Sequence, residues 1–296
     1  MPERLLLTNE ETRIALYSEA NQPIVPHSVT ADTLLESLNL NWREKDLPEK
    51  QRTKHVHRLH PYLGKFAPQL VEVFLRKYFA PGQTILDPFC GSGTTLVQAN
   101  ELGIAALGYD IAAFNVLLTR AKVTHYLLED LCKEVRDILG KLRAKTQQPS
   151  SQLSFWELSF GDKLQETDNS YLQQWYAPQA LHELLTYRNL LETEGYHYQD
   201  LLKVILARSA RSARLTTLFD LDFPQKPQRK PYWCYKHSRE CIPTTEALKF
   251  LERYSADTLQ RVKEFAVCRT AQTILVQHAD SREVAFPLVH DVDQAR

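Results

Sequence analysis

An α/β fold built on a parallel, doubly wound sheet is predicted by three observations. A short apolar strand, Thr84-Ile85-Leu86-Asp87, runs directly into a glycine-rich turn. A helical stretch from Thr94 to Leu102 is stopped by Gly103. A second apolar strand, Ala105 to Asp110, then ends in a carboxylate. Upstream, Gln69 to Arg76 has the apolar period of an amphipathic helix and is closed by Pro81-Gly82. Downstream, Leu127 to Lys145 is helical in pattern and Gln147 to Ser151 reads as a linker. From there to about Arg269 the periodicity is mostly helical, broken by the proline-rich stretch Phe223 to Pro231, with no strand alternation. Thr273 to Gln277 is strand-like again, whereas residues 1 to about 52 are mixed and polar. Neither an internal repeat nor a low-complexity tract is present.

Composition sets the outer bounds. A chain of 296 residues can bury a substantial core, and 43% hydrophobic against 24% charged residues is the balance of a globular protein, not a disordered one. No apolar run has the length of a membrane span, and the opening Met1 to Arg4 does not resemble a signal peptide. The expected location is therefore the cytoplasm, with no membrane partner. The five cysteines, at 90, 132, 234, 241 and 268, are odd in number and scattered, which argues against a disulfide framework. Acidic and basic residues balance at 36 each, so total charge announces no polyanionic partner. Charge is nevertheless unevenly spread. Lys203 to Arg239 holds nine basic residues against two acidic ones, a local excess suited to phosphate contacts.

The segment Asp87-Pro88-Phe89-Cys90-Gly91-Ser92-Gly93-Thr94-Thr95 carries the most chemistry. Glycines at 91 and 93 remove Cβ atoms that would hold a ligand off the backbone, and the following helix offers its N-terminus. Asp110, 23 positions after Asp87, ends the next strand, where a carboxylate can accept hydrogen bonds from ribose hydroxyls. An adenosine-containing ligand is expected. A dinucleotide fingerprint would place a third glycine at position 96, which is Leu96, and the Gly-Lys-Ser/Thr of a P-loop is missing.

This loop resembles motif I of the N4-cytosine and N6-adenine DNA amino-methyltransferases. His60-Pro61-Tyr62-Leu63-Gly64-Lys65-Phe66-Ala67-Pro68 is similar to their motif X, which precedes motif I and lines the methionine end of the cofactor. Gln277-His278-Ala279-Asp280-Ser281-Arg282 is similar to their motif III, and Pro231 to Cys241 resembles a stretch found in one branch. The likeness covers about Thr53 to the C-terminus. It implies an incomplete Rossmann-like methyltransferase sheet with a largely helical insertion, and S-adenosyl-L-methionine as cofactor. It further implies a cofactor site drawn from Tyr62, Lys65, Phe66, Asp87, Phe89, Gly91, Gly93, Thr94, Asp110, Ile111 and Asp280. Asp87 would lie near the sulfonium, Asp110 and Ile111 at the ribose and adenine, and Asp280 facing the adenine amino group.

Family members also carry motif IV, an Asp/Asn/Ser-Pro-Pro-aromatic tetrapeptide whose polar groups accept hydrogen bonds from the target amino group while the ring stacks on the flipped base. No Pro-Pro pair occurs in this sequence, so no catalytic residue is assigned. The expectation is a cofactor-binding portion or subunit of a DNA amino-methyltransferase of a restriction-modification system, N4-cytosine ahead of N6-adenine. A second polypeptide would carry motif IV. The alternatives are a non-catalytic remnant or DNA-associated module, and an RNA guanine-N2 methyltransferase with a related loop. The expected division is residues 1–52 as an N-terminal region, 53–126 as the cofactor-binding part, 127–270 as a helical insertion recognising the target, and 271–296 as the third strand with motif III.

Three further groups are weighed on their own residues. Arg208, Arg211 and Arg214 recur on one broad helical face, and with Lys226, Arg229 and Lys230 they are the candidate DNA-phosphate contacts. Cys234, His237 and Cys241 have ligand-compatible spacing but need a fourth donor, and buried thiols beside a hydrogen-bonded histidine are the plainer account. His55, His57 and His60 read as packing beside the cofactor pocket, with no metal assigned. Cys90 lies inside the glycine loop, not in a Pro-Cys catalytic loop, and is not a nucleophile.

Overall fold

A computed structural model describes residues 23–62, 64–146, 167–216, 226–235 and 237–283. The expected linker from Gln147 to Ser151 and residues 1–22 of the expected N-terminal region lie outside these residues. The chain divides into two compact units, one comprising residues 1–57, 64–116 and 268–296, the other residues 58–63 and 117–267.

In the first unit, α1 (Pro68–Tyr78) leads to β1 (Thr84–Asp87), α2 (Thr94–Glu101) and β2 (Ala105–Asp110). Pro68 starts α1, where its missing N–H costs no helical bond, and Arg76 and Lys77 close it at the negative end of the dipole. The glycine loop connects β1 to α2, and Gly103, with φ 72°, ends that helix region. β5 (Ile274–His278) completes a parallel sheet of order β1-β2-β5. Ile85 stands opposite Ala106, and Leu107 opposite Leu275. β2 is the central strand, and its Ala106 to Tyr109 run is buried throughout, as a strand covered on both faces should be. β1 pairs with β2 and with no other strand among the described residues. The α/β class with a small parallel sheet is thus as the sequence predicts, and the last strand is displaced by one residue from Thr273–Gln277.

The second unit is mainly helical. It contains α4 (Leu128–Thr146), α5 (Ser170–Trp175), α6 (Pro178–Thr193), α7 (Gln199–Ser212) and all but the last residue of α8 (Leu248–Cys268), while α3 (Ala113–Val123) begins in the first unit and ends in the second. Leu131, Val135, Ile138 and Leu142 form the buried stripe of α4 at helical spacing. Glu183 of α6 is buried, and its Oε2 accepts from the backbone N–H groups of Ala247 and Leu248 at 2.6 and 2.7 Å. That carboxylate caps the start of α8 from another helix.

One expectation is corrected here. The span read as free of strands contains an antiparallel hairpin, β3 (Tyr232–Cys234) and β4 (Arg239–Cys241). Strands of three residues are too short to establish a visible period of two.

Candidate functional site

The glycine loop is held by backbone hydrogen bonds. Asp87 closes β1, and its Oδ1 accepts from Phe89 N–H at 3.1 Å, which turns the chain out of the strand. Cys90 N–H donates to Tyr109 O at 2.9 Å, tying the loop to the end of β2. Gly91 and Gly93 have φ of 50° and 76°, left-handed values that suit glycine. Gly93 is also the N-cap of α2, so no cap side chain covers the first N–H groups, and Thr94 opens the helix. Gly108, which the sequence reading did not single out, is equally constrained. A Cβ there would lie 2.6 Å from Leu96 Cδ2 and 3.0 Å from Cys90 Cβ, so its absence lets α2 close on β2.

Asp110 does two things at once. Its Oδ2 accepts from Gly91 N–H at 2.9 Å, and its Oδ1 accepts from Ala112 N–H at 2.8 Å and Asn115 Nδ2 at 3.1 Å. A carboxylate offers about four lone-pair directions. Three are used internally, which leaves one, on Oδ2, for a ribose hydroxyl. Asp110 therefore fixes the loop and keeps capacity for a ligand. Asn115 also escaped the sequence reading; its signal was an amide five residues on, in the first turn of α3. His278 Nε2 lies 2.9 Å from Ile111 O, and Ala279 N–H donates to Asp110 O at 3.2 Å, so β5 braces the same turn.

Two apolar side chains stand outward at this end of the sheet. Phe89 is 78% exposed and Ile111 is 72% exposed. Exposed rings and branched chains beside a glycine turn suit the flat, apolar faces of a nucleoside. Backbone approach at Gly91 and Gly93, one remaining carboxylate direction and flanking apolar groups together fit an adenosyl cofactor.

The other candidate residues are distributed as follows. Lys65 Nζ donates to His57 O at 3.0 Å, and Phe66 is exposed. Both belong to the first unit, whereas the half-buried Tyr62 belongs to the second. Both oxygens of Asp280 accept from Arg282, Oδ1 from Nε at 3.0 Å and Oδ2 from Nη2 at 2.5 Å. The Arg282 guanidinium holds the Asp280 carboxyl down at about 2. His57 bonds Gln98 at 3.0 Å and His55 lies 2.8 Å from Glu101, both against α2. His60 is in the second unit, where burial holds its imidazole down at about 4; Pro61 O opposes that shift, and Arg211, Arg208 and Lys122 reinforce it.

The arginine face differs from its sequence picture. Arg208 donates to Asp257 at 2.6 Å, stacks 4.2 Å from the Tyr254 ring centroid, and keeps only 11% of its side chain exposed. Arg214 lies 4.2 Å over the Trp175 ring. Both are engaged by the helical unit itself. Arg211 borders an open groove with Ser212, Arg239 and Arg253, and Lys226, Arg229 and Lys230 are exposed.

A family model described as DNA methylase matches residues 14–119, which takes in β1, the glycine loop and β2. The type II methyltransferase M.MjaII of Methanocaldococcus jannaschii is 35% identical over an alignment of 291 residues, covering 80% of this chain and 55% of that protein. The type II methyltransferase M.BsoBI of Geobacillus stearothermophilus is 27% identical, covering 67% of this chain and 35% of its own length. A tRNA (guanine(10)-N2)-dimethyltransferase of Methanothermobacter thermautotrophicus is 27% identical over 49% of the chain. The chain thus spans about half or less of the curated relatives it matches, and no solved structure matches it. From the glycine loop, the strand order around it and these matches together, the chain belongs to the DNA amino-methyltransferase family.

Proposed function

We propose that these 296 residues are the cofactor-binding portion of a site-specific DNA amino-methyltransferase of a restriction-modification system, using S-adenosyl-L-methionine. The observation that carries this reading is the clasp between Gly91 N–H and the Asp110 carboxylate, which presets the loop while leaving one acceptor direction. When bound, the cofactor supplies an electrophilic methyl group. The chain's own residues bind and orient: Gly91 and Gly93 admit the close backbone approach, with Thr94 opening the helix beside it. Asp110 accepts from the ribose, and Phe89 and Ile111 flank the apolar faces. Asp87 would lie toward the sulfonium, and Lys65 and Phe66 toward the methionine end. Asp280 faces the adenine amino group, for which it must share its oxygens with Arg282.

Target activation needs residues that these 296 do not contain. An exocyclic amino nitrogen is a poor nucleophile because its lone pair is delocalised into the base, and acceptors held within about 3 Å must draw on its protons. Asp110 and Asp280 are committed elsewhere in this reading, and the sequence holds no Pro-Pro turn to present another acceptor. We assign that acceptor to motif IV on a second polypeptide. Among the described residues β1 pairs with β2 alone, which supports this, since an unpaired strand edge accepts another strand. N4-cytosine is the favoured target over N6-adenine, and Arg211, Lys226, Arg229 and Lys230 are the assigned phosphate contacts.

The test is radiolabelled methyl transfer to mixed-sequence DNA, by the chain alone and with a polypeptide bearing motif IV, followed by analysis of the methylated base. Transfer only in the mixture, yielding N4-methylcytosine, is expected. Robust transfer by the chain alone would contradict the division of labour. The similarity to a tRNA guanine-N2 enzyme favours one second reading, methylation of RNA, and the same assay with tRNA addresses it. The DNA reading is preferred because M.MjaII is matched over far more of the chain.

A further inference from the structure

The β3–β4 hairpin carries a feature that neither the sheet nor the proposed methyl transfer uses. Tyr232 pairs with Cys241 and Cys234 with Arg239. Side chains alternate along a strand, so Cys234 and Cys241 stand on the same face as diagonal neighbours. The turn between the strands passes through Ser238, whose φ of 50° is left-handed, and brings His237 back over that face. Its Nδ1 lies 3.5 Å from Cys234 Sγ and 3.3 Å from Cys241 Sγ, and the three donor atoms lie within 4.8 Å of one another.

These distances suit hydrogen bonding and metal ligation alike, and the number of donors favours the metal. A neutral imidazole nitrogen either donates one hydrogen bond or accepts one. One nitrogen therefore serves one of the two thiols in full, whereas a metal ion engages all three donors at once. A zinc ion with bonds of about 2.3 Å to sulfur and about 2.0–2.1 Å to nitrogen, in tetrahedral geometry, spaces its nitrogen and sulfur ligands about 3.6 Å apart. The observed separations are close to that spacing for both pairs.

Energetics points the same way. Strands of three residues make a hairpin that is marginal by itself. This one has little core of its own: Cys234 is buried, but Trp233 is 57%, Tyr235 81% and Ile242 80% exposed. A metal crosslink between strands and turn would supply stability that apolar burial does not. The hairpin also walls the groove bordered by Arg211, Arg239 and Arg253, about 710 Å³ in volume, so a fixed hairpin gives that groove a fixed shape.

We propose that Cys234 Sγ, His237 Nδ1 and Cys241 Sγ hold a zinc ion, with water in the fourth position, as a structural staple of the hairpin. Binding converts both thiols to thiolates and releases their two protons to solvent, while the imidazole binds as its neutral form. Cys132 on α4 lies outside the cluster and serves as the control.

The experiment is elemental analysis of the 296-residue chain expressed with zinc, followed by replacement with cobalt(II) and absorption spectroscopy. About one zinc per chain is expected, together with a thiolate-to-cobalt charge-transfer band and the intense visible bands of four-coordination. Cys241→Ser and His237→Ala should each lower metal content at least several-fold at equal folded fraction, judged by circular dichroism; Cys132→Ser should leave it unchanged. Chain folded but free of zinc, with no charge-transfer band on cobalt titration, would overturn the assignment. So would a Cys234–Cys241 disulfide in protein prepared under reducing conditions. The readouts are metal content and spectra, so they stand whether or not cofactor or DNA binding is as proposed.

Discussion

The glycine loop of the first unit and the arginine face of α7 in the second are both sequence signals of phosphate or nucleotide chemistry, yet the fold treats them differently. In the loop, the decisive groups are backbone N–H donors and a carboxylate 19 residues from Gly91, all within one strand–helix–strand unit. Their proximity follows from short-range connectivity, so spacing announces the groups, although the Gly91–Asp110 bond itself is seen only in the fold. On α7, Arg208 is engaged by Asp257 and Tyr254 on another helix, and Arg214 by Trp175. Those partners are 49, 46 and 39 positions away along the chain, and a charge pattern contains no information about them. A backbone motif carries its own short-range geometry; a charge stripe reports only that charge is present.

That contrast can be broken by mutation, and the largest expected effects concern the long-range contacts. Glu183→Ala should destabilise the chain by about 3 kcal/mol in urea unfolding, because it leaves two buried N–H groups at the start of α8 without their charged acceptor. Glu183→Gln should recover part of that loss through its amide oxygen. A change below about 0.5 kcal/mol for the alanine variant would mean that water replaces the cap.

In the first unit, Gly108→Ala tests whether close packing of α2 on β2 is as tight as the geometry implies. Overpacking of this kind typically costs about 1–3 kcal/mol, and the Leu96 side chain must shift to admit the methyl. A Tm equal to the parent would show that Leu96 moves freely.

Arg208→Ala and Arg211→Ala sharpen the comparison within α7 itself. Arg208→Ala should cost about 1–2 kcal/mol of stability, reduced from the value for a fully buried pair because Asp257 keeps 28% exposure. It should leave the salt dependence of DNA binding unchanged. Arg211→Ala should do the reverse, with little loss of stability and a slope of log K against log salt about one unit shallower. A slope for Arg211→Ala equal to the parent's would remove Arg211 from the DNA surface.

The effect confined to the narrowest conditions is one of pH. The His60 imidazole is held by burial at about 4, against an ordinary value of 6.5. The unfolded chain therefore binds the proton more readily, and the stability His60 contributes is present above 6.5 and lost as pH falls from there toward about 4. His60→Gln should flatten unfolding free energy against pH in that window. An unchanged slope would assign it to other groups.

Legibility follows the same division. β1, β2, their connecting helix and the third parallel strand were readable because apolar runs bounded by glycine and aspartate specify them locally. Asp110 was read as a ribose acceptor, but its clamp on Gly91 and its bond to Asn115 required the loop to be folded. The β3–β4 hairpin was missed because three-residue strands leave no period to see. The closeness of Cys234, His237 and Cys241 depended on the register of that hairpin, which spacing alone does not fix. Glu183 had no sequence signal, since its two N–H partners lie more than 60 residues away.

The central claim, that the Gly91–Asp110 clasp forms a cofactor site, is tested most directly by isothermal titration of S-adenosyl-L-methionine into the parent chain and the Asp110→Ala variant. The account predicts saturable binding by the parent and a loss of about 1–3 kcal/mol in the variant, from the charge-assisted ribose bond together with the released loop. Asn115→Ala should give a smaller loss, because it loosens the carboxylate without removing it. Equal affinity in parent and Asp110→Ala would contradict the account and move the ribose away from the end of β2.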